Sequence, residues 1–141
     1  MLFSKSAIAA FFGAAVAREG VHFDKCSPAN YEVVNYYADD SKANVGTISN
    51  LMSIYFSLSF PGASNTCVAS PNWHSLNHCT YPTGTPGTWN LASNAESQPI
   101  GSVVGTFNNG YHTFTCKRDD DHYAYTDGNG NRCVSVFYCL Y

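Results

Sequence analysis

Charge is scarce in this sequence. Asp, Glu, Lys and Arg make up 12% of the chain, and the seven Lys and Arg form no basic tract. Affinity for a nucleic-acid backbone comes from clustered cations, so binding to nucleic acid is disfavoured and none is expected as a partner. Long apolar runs are missing too. The longest, Ala7 to Ala17, has eleven residues, too few to cross about 30 Å of hydrocarbon as a helix. There is no Cys-x-x-Cys pair, no Gly-x-Ser-x-Gly and no Asn-x-Ser/Thr sequon. Zinc ribbons, the nucleophile elbow of α/β-hydrolases and ordinary N-glycosylation therefore lack their signatures. No window carries the 3.6-residue apolar period of a helix.

The apolar run is itself informative. It follows Lys5, ends in Ala15-Val16-Ala17, and gives way to Arg18 and Glu19. A cation, a short apolar core and a small-x-small end form the pattern of a secretory signal peptide. Residues 1–17 are expected to be removed, with 18–25 a short N-terminal segment and 26–141 one domain. Removal of Lys5 leaves six Lys and Arg against ten Asp and Glu, a net charge near −4. The expected location is extracellular, such as a host apoplast, with no membrane partner.

Strand signals dominate the remainder. In "MSIYFSLSF", Met52, Ile54, Phe56, Leu58 and Phe60 alternate with polar residues, until Pro61-Gly62 ends the pattern. "YEVVNYY", residues 31–37, is rich in β-branched and aromatic side chains. "GSVVGTF" and "YHTFTC" flank Asn108-Asn109-Gly110, a hairpin signal. "HYAYT" and "CVSVFYCLY" flank a longer Gly- and Asn-rich turn, and a short strand is expected near Trp89 to Ala92. Residues 39–47 and 61–88 are expected to be loops. The fold class is all-β, an antiparallel sandwich or barrel.

Six cysteines, Cys26, Cys67, Cys79, Cys116, Cys133 and Cys139, all follow the expected cleavage point. An even count in a small exported chain indicates three disulfides. Cys133 and Cys139 lie six residues apart, so on a regular strand they share a face about 20 Å apart, beyond disulfide reach. Cys67 and Cys79 bracket one loop, and Cys116 and Cys133 bracket another. The expected bonds are 67–79, 116–133 and 26–139. A free Cys26 linking two chains as a homodimer is the alternative for the last pair.

The segments "CSPANYEVVNYY", "FSLSFPGASNTCVAS", "NWHSLNHC" and "CKRDDDHYAYTDGNGNRC" occur in this order ahead of a final apolar strand. In order and spacing the chain resembles the Alternaria major-allergen-like family of small secreted fungal proteins, over residues 26–141. The resemblance implies a β-barrel-like fold, with two loop-closing disulfides mapping onto Cys67–Cys79 and Cys116–Cys133. It also implies a secreted allergen-like or effector protein with no catalytic residues to carry over. Cys139 departs from the family pattern and favours an internal partner for Cys26.

Several constellations compete with that view. Asp119, Asp120, Asp121 and His122 suggest a cation loop, but neighbours on a strand face opposite ways. "DGNGNR" lacks the later residues of a calcium loop, and His74-x-x-x-His78 lacks the Glu of a zinc protease. No metal and no cofactor are expected. Glu32, His112 and Arg118 are the residues of a possible secreted ribonuclease, whose catalysis need not survive. A cell-wall-associated structural protein is a further alternative. The leading expectation is a non-enzymatic protein that binds a host or extracellular protein. Trp73, Tyr81 and Trp89, in or near loops, are its candidate anchors, each with a competing role as packing.

Overall fold

A computed structural model describes residues 18–40, 43, 65–68 and 72–141. The expected signal peptide, the Met52–Phe60 strand and its Pro61-Gly62 end lie outside the described residues. Among the described residues the elements are β1 (Gly20–Ser27), β2 (Tyr31–Tyr37), β3 (Asn65–Val68), β4 (His78–Thr80), β5 (Pro86–Leu91), β6 (Val103–Asn108), β7 (Thr113–Arg118), β8 (Tyr123–Thr126) and β9 (Arg132–Leu140), with a 3-10 turn at Ala95–Ser97. All pairings are antiparallel. The sheet runs β3-β2-β1-β9-β7-β6-β5-β4, and β8 pairs with the first part of β9. It curls into a nearly closed barrel. The strands at the two ends of that path, β3 and β4, are joined by the Cys67–Cys79 disulfide.

β2 has the bounds its β-branched and aromatic content indicates, and the Asn108–Gly110 hairpin and β8–β9 form where their turns were expected. The segment 61–88 holds β3, β4 and the start of β5 in place of one continuous loop. The sheet also begins at Gly20, inside the segment expected to precede the domain.

Phe23 of β1 is the centre of the core and is fully buried. Its ring meets Trp73, Trp89, Phe107 and Phe137 edge-on, at centroid distances of 5.6, 5.5, 6.3 and 6.1 Å. Such pairs add about 0.5–1.5 kcal/mol each beyond the area they bury. A strand with one buried face would expose its alternate side chains, yet His22 and Asp24 are buried as well. A second, smaller cluster covers that face, with Cys26, Val33, Ala124, Tyr125 and Cys133.

Two expected disulfides are corrected. The bonds are Cys26–Cys133 and Cys116–Cys139, with Cα atoms 4.0 and 3.9 Å apart; neither 116–133 nor 26–139 forms. Both are cross-strand bonds, because Cys26 sits opposite Cys133 on β1–β9 and Cys116 opposite Cys139 on β7–β9. Cys26 is internally bonded, so the chain-linking alternative loses its thiol. The cause is a β-bulge. Val21 pairs with Cys139 and Cys26 with Cys133, so β9 spends one more residue than β1 over this stretch. The extra residue falls at Val136, between Phe137 opposite Phe23 and Ser135 opposite Asp24. Cys133 and Cys139 therefore face opposite sides of the sheet, and each joins a different cluster.

Candidate functional site

The bulge leaves the Val136 carbonyl outside the regular ladder. It accepts from the Asp119 N–H at 2.8 Å and from Arg118 Nη1 at 2.9 Å. Asp119 is thereby drawn over the outer face of β9, where its Oδ2 accepts from Ser135 Oγ at 2.7 Å. Ser135 Oγ lies 3.2 Å from His22 Nδ1, and His22 Nε2 lies 2.9 Å from Asp40 Oδ1. Beside this chain, Asp24 Oδ2 accepts from Asn35 Nδ2 at 2.6 Å. Asn35 in turn contacts the Tyr125 hydroxyl and accepts from Thr66 Oγ1. Burial pushes the Asp24 carboxyl up to about 6, against the opposing pull of His22 and the hydrogen bond from Asn35. Burial lowers the His22 pKa, but the Asp40 hydrogen bond and the charges of Asp24, Asp40 and Asp119 outweigh it and leave it raised.

This serine–histidine–carboxylate arrangement is not that of an acyl-transfer site. Ser135 is fully buried and its hydroxyl is committed to Asp119, so no substrate carbonyl can approach Oγ.

The outer face of β7 and the end of β9 carry an open depression of about 490 Å³. Thr113, Thr115, Lys117, Tyr138 and Leu140 line it together with Arg18 and Tyr141. Arg18 Nε donates to the Tyr141 main-chain oxygen at 3.1 Å. The Tyr141 ring stacks on His112 at 4.0 Å, and His112 also meets Glu19 at 3.2 Å. Next to His112, at the β6–β7 turn, Tyr111 is 82% exposed; Tyr141 is 58% exposed. This is a concentration of exposed tyrosine beside two cations.

The expected anchors lie elsewhere. Trp73, Tyr81 and Trp89 are all buried in the core, which removes them as a binding surface. The Trp73 N–H donates to Glu32 Oε2 at 2.7 Å, and Trp89 Nε1 donates to the Trp73 carbonyl at 2.9 Å. The Trp73 turn points inward, and its indole joins that of Trp89 on β5 in filling the barrel.

The ribonuclease set is not assembled. Arg118 and His112 flank β7 at opposite ends, about 20 Å apart at roughly 3.3 Å per residue. Arg118 is engaged by Asp121, by the Glu96 carbonyl and by Val136. Glu32 lies near Lys25, whose Nζ sits 3.8 Å from Glu32 and 2.6 Å from Glu96. Burial raises the Glu32 pKa, while the Trp73 N–H and Lys25 oppose it.

The long acidic loop is likewise not stapled at its base, and two of its acids are buried. Carboxylate oxygens of Asp119 and Asp120 and the His122 ring converge within 4.8 Å. Asp121, at φ 58°, turns away to pair with Arg118. His122 Nδ1 is bonded to Asp120 at 2.6 Å, so the convergence is satisfied from within. Asp127 behaves similarly. Its oxygens accept from the Asn129 and Asn131 N–H groups, from Asn131 Nδ2 and from the Tyr31 hydroxyl. Burial raises its pKa, but these bonds outweigh burial and hold it below the ordinary carboxylate range. His74 and His78 are exposed on a turn and a short strand, with no helix to align them.

Among the described residues no helix is long and apolar enough to cross a membrane. The chain matches no family model, no curated protein and no solved structure. The tyrosine surface was hidden from sequence reasoning because Thr113, Thr115 and Lys117 look like the ordinary solvent face of a strand. The available signal was Tyr111 at the tip of the Asn-Asn-Gly turn.

Proposed function

We propose that this is a secreted, non-enzymatic protein that acts by binding a host or extracellular protein, in the manner of small fungal effectors and allergen-like proteins. The observation that carries the reading is the exposed tyrosine and cation surface around the β7–β9 depression. Exposed tyrosines bury large area at small entropic cost when a partner covers them. Arg18 and Lys117 would receive carboxylates of that partner, giving orientation and a faster encounter. Three disulfides suit a chain that works in an oxidising, extracellular setting.

The test is affinity capture from host extracellular fluid, comparing the native protein with Tyr111→Ala and Lys117→Glu. The expected result is a reproducible protein partner, weakened about 30-fold or more by Tyr111→Ala, the loss typical of a central anchor. Equal retention by native and variant proteins, or sedimentation with wall polymer without a protein partner, would refute the reading.

A further inference from the structure

We infer that His22 is a protonated clasp: its imidazolium holds the Asp40 carboxylate, and with it the chain leaving β2, against β1 and β9, and releases it when the proton is lost as pH rises.

The hydrogen-bond directions require the charge. A carboxylate has no hydrogen to give, so Ser135 Oγ, 2.7 Å from Asp119 Oδ2, spends its single hydrogen there. Toward His22 Nδ1 it can then only accept, so Nδ1 carries a hydrogen. Asp40 Oδ1 also only accepts, so Nε2 carries one too. A ring protonated on both nitrogens is a cation.

The surroundings fit that charge from each side. Asp24 comes from β1, Asp119 from the segment after β7 and Asp40 from the segment after β2. Tyr37 of β2 meets the ring edge-on at 5.4 Å, and Tyr138 of β9 is its cross-strand neighbour. The balance of these groups over burial raises the His22 pKa. A raised value means the clasp is complete below the ordinary value near 6.5 and is lost as pH climbs through the folded-state value.

Gly20 adds an independent sign that the contact is built in. A Cβ there would lie 2.0 Å from Asp40 Oδ1, so only glycine lets the carboxylate cross β1 to reach the ring. The contact also reaches the outer surface. The Asp40 N–H donates to the Arg18 carbonyl at 2.8 Å, and both Arg18 and Tyr138 border the β7–β9 depression. The clasp stands on this geometry whether or not that depression binds a protein.

The experiment is a titration of the native full chain from pH 5 to 9, following the imidazole nitrogens and backbone amides by NMR. The expected result is a His22 ring protonated on both nitrogens at pH 6, with a midpoint above 6.5. The Asp40 and Gly20 amide shifts should trace the same curve. Asp40→Asn should lower the midpoint by about one pH unit, a tenfold change in acid dissociation. A neutral ring at pH 6, a midpoint at or below 6.5, or an Asp40 amide indifferent to the His22 curve would overturn the inference. These readouts come from the native chain, so they decide the matter even if Asp40→Asn does not fold. If it folds, an unchanged midpoint overturns the inference as well.

Discussion

Replacing Asp24 by Asn should change how stability depends on pH, and the size of the change follows from burial. Asp24 is 1% exposed; one oxygen accepts from Asn35 and the other has no hydrogen-bond partner. Its pKa is raised from the ordinary 3.8 to about 6. The sign is fixed by that direction. The folded chain holds the proton more tightly than the unfolded chain, so stability is full below pH 3.8 and falls as pH rises through 6. Between pH 4 and pH 6 this single group should cost the native protein about 2 kcal/mol. An asparagine resembles the protonated acid in shape and charge, and it does not titrate. Asp24→Asn should therefore unfold in urea within about 1 kcal/mol of the native protein at pH 4, where an unsatisfied amide hydrogen sets the difference. At pH 6 it should gain about 2 kcal/mol on the native protein. His22 is largely protonated across this window, so the change in the gap belongs mainly to Asp24. Disulfides must stay intact for a two-state comparison. A gap between the two proteins that is the same at pH 4 and pH 6 would refute the buried-carboxylate reasoning.

The disulfides predict an order of loss. Cys26–Cys133 closes a sequence separation of 107 residues and Cys67–Cys79 only 12. Chain entropy assigns them about 4–5 and about 3 kcal/mol, respectively. Paired Cys→Ser variants compared by denaturant midpoint should rank that way, and non-reducing peptide maps should return 26–133 and 116–139. Gly105→Ala should cost at least about 2 kcal/mol, because its Cβ would lie 2.0 Å from the Asn90 main-chain oxygen across β5–β6. Gly128→Ala meets nothing within 4 Å and should stay within about 0.5 kcal/mol on the same thermal melt.

The pattern of success and failure has one physical source. Elements set by neighbouring residues were legible. The β-branched and aromatic run of β2 and the Asn-Asn-Gly turn between β6 and β7 specify themselves within a few positions. Facts set by which strand lies beside which were not. Cys116 and Cys133 look like the base of one hairpin, but β7 pairs with the far half of β9, where Cys139 stands. The bulge at Val136 then reverses the side that every earlier β9 residue faces, and nothing in "CVSVFYCLY" marks it. Polar His22 and Asp24 alternate with Val21 and Phe23 as a half-exposed strand should. They are buried because β8, the Asp40 segment and Asp119 cap the outer face, and all three come from distant parts of the chain. The misplaced Trp73 indole has the same origin. A tryptophan in a polar loop looks exposed until a Glu32 carboxylate on another strand receives its main-chain N–H and fixes the loop inward. That cap also gives the outer face its chemistry. Without it His22 and Asp24 would titrate as solvated side chains; beneath it, their proton affinities are tied to one another and to the position of the chain after β2.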